Sequence, residues 1–153
     1  MIKRLFVQVV ETITATDAET ADSREAALRL ATAVLMIDVA RADYVFDESE
    51  FDRVLKLVEV HFGLTPEQAA ELVIEAGDKA EDIVDIHEFT RLLHDHLTED
   101  EKAQIIALLW QIAYADGRLD KYEDSLVLKI SDLLYVSRGR VMRLKHDAEL
   151  ATG

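Results

Sequence analysis

The chain has 153 residues, half of them apolar, which is the size of one domain with a real core. It has no cysteine, so disulfides, thiolate metal sites and Cys nucleophiles are excluded. Acidic residues outnumber Lys and Arg by 31 to 17, a formal charge of −14 that argues against nucleic acid, whose phosphates need clustered bases, and suits cations or basic protein surfaces.

One Pro and five Gly among abundant Ala, Leu, Val, Glu and Asp favour helix over sheet. The expected fold is all-α, a compact bundle of seven to eight helices. No apolar run approaches the ~20 residues of a membrane span, so no transmembrane segment is expected. Lys3 and Arg4 precede an apolar stretch that Gln8 and Glu11 interrupt too soon for a signal peptide. The expected location is cytoplasmic.

In chain order, Ile2, Leu5, Phe6, Val9, Val10 and Ile13 recur at helical spacing and predict an amphipathic N-terminal helix. The small polar run Thr14 to Ala21 reads as a linker. Residues 1–20 therefore form a separable arm, and 21–150 the domain proper. The arm is expected to be dispensable for folding; it can pack back on its own domain, or dock on a partner or a membrane surface.

Asp22-Ser23-Arg24-Glu25 offers a helix start, and Ala26 to Ala40 is apolar almost all round, the mark of a buried helix. Asp38 inside it is expected near the solvated end. Asp47 opens the next helix, with Leu55, Val58 and Phe62 on its apolar face and Gly63 just past its end. Thr65-Pro66-Glu67-Gln68 starts another, with Pro where its missing N–H costs nothing, and Gly77 marks the expected end. Asp78 to Val84 is ambiguous. Asp85 opens a helix to about Leu97, and Thr98-Glu99-Asp100-Glu101 opens a second apolar helix through Ile105, Ile106, Leu109, Trp110, Ile112 and Ala113. Asp120 opens the next, and Ser137 can cap a basic helix carrying Arg138, Arg140, Arg143 and Lys145. Val34, Leu35, Ile106, Leu109 and Ile112 are expected in the core.

The two apolar helices are each followed by an acidic turn, Ala42-Asp43-Tyr44-Val45-Phe46-Asp47-Glu48-Ser49-Glu50 and Ala115-Asp116-Gly117-Arg118-Leu119-Asp120-Lys121-Tyr122-Glu123, at a constant offset (116 − 43 = 73). Each turn has an Asp, a second Asp at +4 and a Glu at +7. Asp47 with Glu50, and Asp120 with Glu123, have the spacing of capping boxes that satisfy orphan N–H groups. Asp43 and Asp116 differ, since a carboxylate at a helix C-terminus faces the negative end of the dipole. An Asx turn would give each a local reason. Alternatively, the six carboxylates, with backbone carbonyls, coordinate a hard cation such as Ca2+ or Mg2+.

The histidines do not make a better metal site. His94 and His96 sit at i, i+2 and point to different sides of a helix, and His87 and His94 are two turns apart. No HExxH, phosphate loop or Gly-x-Ser-x-Gly is present.

The repeated Ala-Asp-Gly-x-Leu-Asp-x-x-Glu resembles the acidic motif of the tellurite-resistance TerB-like family over roughly Asp22 to Leu150. The second copy matches in full, while the first carries Tyr44 in place of Gly. The resemblance implies a helical fold with an internal helix–acidic turn–helix repeat and a metal-binding patch at Asp43, Asp47, Glu50, Asp116, Asp120 and Glu123. It also implies a stress-response or envelope-associated setting, with no catalysis and no established reaction. A protein partner is expected, including one at a membrane or a second copy in a homodimer. Two alternatives stay open: a metal-independent helical adaptor whose acidic turns are only caps, and a metal-assisted hydrolase.

Overall fold

The computed structural model describes residues 21–42, 48–81, 86–114 and 121–152, which form seven helices with no strand among the described residues. They are α1 (Ala21–Ala40), α2 (Glu48–Phe62), α3 (Pro66–Glu81), α4 (Ile86–His96), α5 (Glu99–Ala113), α6 (Lys121–Leu133) and α7 (Arg138–Thr152). The all-α bundle expected from composition is the fold. The N-terminal helix expected over residues 2–13 lies outside the described residues.

The two helices without a polar face are the centre of the core. Val34, Leu35, Met36 and Ile37 of α1 and Ile106, Leu109 and Trp110 of α5 are essentially withdrawn from water, as the uninterrupted apolar runs require. Thr32 is buried with them, but its hydroxyl donates to the Leu28 carbonyl at 2.7 Å and so is not left unsatisfied. α1 packs on α5; α3 covers α1 and α7 covers α5, while α2 and α6 each reach across to the other central helix.

These contacts reflect a repeat longer than the acidic motif. α1, α2 and α3 correspond in order to α5, α6 and α7, and α4 joins the two units. The second turn of each unit is also shared. α2 closes on Gly63 at φ 65°, with the Leu64 N–H donating to the Glu59 carbonyl at 3.0 Å. α6 closes on Tyr135 at φ 59°, with the Val136 N–H donating to the Ser131 carbonyl at 3.2 Å. Both are the six-to-one bond of a Schellman turn. A hydroxyl cap then starts the third helix of each unit: Thr65 Oγ1 accepts from the Gln68 N–H at 3.1 Å, and Ser137 Oγ from the Arg140 N–H at 3.4 Å. In the first unit Gln68 returns the bond to the Thr65 N–H, completing a capping box ahead of α3.

Two expected boundaries are corrected. α1 already includes Asp22 to Glu25 as helix from Ala21. α3 does not end near Gly77 but runs on to Glu81. Gly77 lies where α3 faces α1, with Ile37 Cδ1 4.0 Å from where a Cβ would stand, and the stripe Ala69, Val73, Ala76 and Ala80 continues the buried face past it. Tertiary packing of that stripe outweighs the roughly 1 kcal/mol helix penalty of one Gly. Of the ambiguous run, Asp78 to Glu81 is helix and 82–85 lies outside the described residues.

The basic last helix is held down by acids. Arg140 reaches Asp100 at the head of α5 at 3.2 Å, and Lys145 reaches Asp124 of α6 at 2.8 Å while standing 5.2 Å from the centre of the Trp110 ring. α7 therefore runs along α5 in the direction from Asp100 toward Trp110.

Candidate acidic site

Each acidic turn leaves the C-terminal end of a central helix and enters an amphipathic one. Of the six carboxylates, Asp43, Asp47, Asp116 and Asp120 lie outside the described residues, while Glu50 and Glu123 are described. Both stand in the first turn of their helices, α2 and α6, 73 residues apart, where the positive end of the helix dipole favours a carboxylate. Glu50 is half-buried and Glu123 is only 9% exposed. At the head of α5 the carboxylates of Asp100 and Glu99 stay in water, 87% and 64% exposed, whereas Asp124, next to Glu123, is 26% exposed and paired with Lys145.

Asp38 lies near the end of α1, as expected, and is half-buried. Burial raises its pKa, and the charges of Arg41 and Lys129 pull it back only in part. Among the described residues no three His, Asp or Glu side chains are grouped closely enough to hold a metal ion. An all-carboxylate donor set fits a hard cation, which takes oxygen ligands, and offers nothing to a thiophilic metal.

The histidines have other work. His94 is an acceptor for a buried lysine: Lys102 Nζ, on a residue 1% exposed, lies 2.6 Å from His94 Nδ1 and 3.2 Å from Glu99 Oε1. An ammonium donating to Nδ1 puts the imidazole proton on Nε2. The 3.2 Å approach of Nδ1 to the Leu134 carbonyl is then a contact rather than a hydrogen bond. The ring also packs on Tyr135, centroids 4.5 Å apart. Sequence reasoning missed this arrangement. The signal was present in Thr98-Glu99-Asp100-Glu101-Lys102, where a lysine sits in the first two turns of an otherwise apolar helix.

A second feature lies at the opposite ends of the central helices. Leu28, Arg29 and Thr32 of α1 and Glu101, Ile105 and Leu108 of α5, with His61 and Phe62 at the end of α2, line an open groove of about 320 Å3. Leu28 and Glu101 are equivalent in the repeat, as are Thr32 and Ile105, so α1 and α5 leave the groove together toward their acidic turns. Arg29 donates to Glu25 at 2.9 Å and lies over the Phe62 ring at 5.9 Å, but its Nε is buried without an acceptor.

No helix among the described residues is long and apolar enough to cross a membrane. The family model described as Tellurite resistance protein TerB matches residues 29–146. No curated protein matches the chain, and no solved structure does. The matched span takes in both acidic turns and the whole of the second central helix, and on that basis the chain belongs to the TerB family.

Proposed function

We propose that the chain is a non-catalytic helical module whose two acidic turns bind a divalent cation, Ca2+ or Mg2+, and present the cation-loaded surface to a protein partner in a stress response of the tellurite-resistance kind. The observation that carries this reading is the withdrawal of Glu123 from water at the head of α6, with Glu50 half-buried at the equivalent point of α2. Both carboxylates already interact within the protein, and a cation would add to that compensation for drawing them inward in a chain of charge −14. The four aspartates that precede them in the turns supply the remaining oxygens for a cation.

Thermal melting with added cations tests it. Asn caps a helix about as well as Asp, yet lacks the charge that a hard cation needs. Asp47→Asn and Asp120→Asn should fold nearly as the parent does and gain less from Ca2+ or Mg2+. The parent should gain about 2.7 kcal/mol at a hundredfold excess of cation over its dissociation constant. The position of Glu50 and Glu123 within first turns favours a second reading, the metal-independent adaptor with capped turns. That reading expects equal cation shifts, or none, in parent and variants.

A further inference from the structure

We propose that the groove between α1, α2 and α5 is the seat of this chain's own N-terminal arm, which docks there in cis through the apolar stripe Ile2, Leu5, Phe6, Val9, Val10 and Ile13. The groove is mixed in character: Leu28, Phe62, Ile105 and Leu108 provide an apolar floor between polar walls that include Arg29, Glu101 and Gln104, which suits an amphipathic helix. About 320 Å3 is room for the side chains of one stripe rather than for a helix buried all round. The arm lies outside the residues 29–146 that match the family, so the shared domain does not include its occupant.

Reach and direction fit as well. Seven residues, Thr14 to Thr20, separate the stripe from Ala21, where α1 begins, and the groove starts one turn later at Glu25. Seven residues span at most about 24 Å when extended. They are also within the usual two to eight for a helix–helix connection, which returns the arm antiparallel to α1. That direction brings Glu11, near the end of the stripe, toward the first turns of α1, where Arg29 Nε is buried without an acceptor.

Tethering also decides between the chain's own arm and that of a second copy. A connection of seven residues holds its arm at an effective concentration on the order of millimolar. A second copy must instead approach against a like charge of −14. The same charge disfavours an anionic lipid surface as the arm's resting place. Docking at the N-terminal halves of α1 and α5 is remote from the acidic turns along both helices and does not depend on cation binding.

Because the chain has no cysteine, a single introduced one takes a nitroxide label uniquely. The full chain, labelled with 15N, would carry the nitroxide at Gln104→Cys, on the exposed wall of the groove, or at Leu150→Cys, near the end of α7 that lies away from Asp100. The expected result is that amide signals of residues 2–13 lose most of their intensity with the Gln104 label and much less with the Leu150 label. Phe6→Asp should abolish that loss. In 15N-labelled protein without the nitroxide, Phe6→Asp should shift the signals of Leu28, Phe62 and Ile105 while the rest of the spectrum stays folded. An unbroadened arm together with unshifted groove signals in Phe6→Asp overturns the proposal. So does broadening that persists at comparable size when the nitroxide and the 15N label are on separate, mixed chains, which would make a second copy the occupant.

Discussion

Gly63 and Tyr135 hold the same left-handed backbone position in two copies of one turn (135 − 63 = 72), one at φ 65° and the other at φ 59°. An L side chain there is strained by roughly 1–2 kcal/mol. Tyr135 compensates in part through its ring contact with His94, whereas nothing stands within 4 Å of a Cβ built on Gly63. Gly63→Ala should therefore lower stability by about 1 kcal/mol through backbone strain alone, read from urea unfolding with an unchanged slope.

Gly77→Ala should have the opposite sign. Gly77 is inside α3 with an ordinary negative φ, and the nearest atom to its added Cβ is Ile37 Cδ1 at 4.0 Å, a normal van der Waals contact. The substitution should stabilise by about 0.4–1 kcal/mol, mainly by restricting the unfolded chain. A loss of stability in the same unfolding experiment would mean that α3 packs closer to α1 than the structure has it.

His94→Ala should be more damaging than the exposure of an exchangeable surface histidine would suggest. It removes the acceptor 2.6 Å from the buried Lys102 ammonium and leaves it the ion pair with the exposed Glu99 carboxylate at 3.2 Å. A hydrogen bond to a charged group contributes about 1.5–3 kcal/mol. Lys102→Met should be closer to neutral, because it removes the buried charge along with the need to satisfy it. A double-mutant cycle by chemical denaturation gives the coupling, expected to be strongly favourable.

Asp38 makes the protein's stability depend on pH in a defined direction. Its folded pKa is raised above 3.8, so the folded state holds the proton more tightly than the unfolded one. The stabilisation from the protonated carboxyl is fully present below about pH 3.8 and is lost as pH rises through the raised value. Asp38→Asn, neutral at every pH, should melt higher than the parent at pH 7, and the difference should shrink as the pH is lowered. Melting curves across that range check it.

Helices, core and repeat were legible in the sequence because each rests on local chemistry. Thr98 with Glu101 forms the capping box that their spacing announces, at 3.1 and 2.9 Å, and the apolar runs of α1 and α5 became the buried centre. What the sequence hid depends on contacts between distant residues. Gly77 reads as a helix end until the stripe from Ala69 to Ala80 is seen lying against α1. Tyr135 carries no glycine signal for the left-handed turn it makes, and Lys102 meets His94 only because α4 and α5 meet at a tight corner. For the candidate acidic site the sequence offered six carboxylates, and the structure adds that Glu123 is buried and Glu50 half-buried. Asp43, Asp47, Asp116 and Asp120 lie outside the described residues.

Calorimetric titration of metal-free protein with Ca2+, Mg2+, Mn2+ and Zn2+, repeated for Asp43→Asn, Asp47→Asn, Asp116→Asn and Asp120→Asn, tests the cation-binding reading most directly. The account predicts saturable binding of Ca2+ or Mg2+ that every variant weakens. Asp116→Asn and Asp120→Asn should weaken it more, because a Gly at position 117 adopts a tight backbone path more readily than a Tyr at position 44. No binding of any cation, or one affinity shared by parent and all four variants, would contradict it and leave the acidic turns as helix caps.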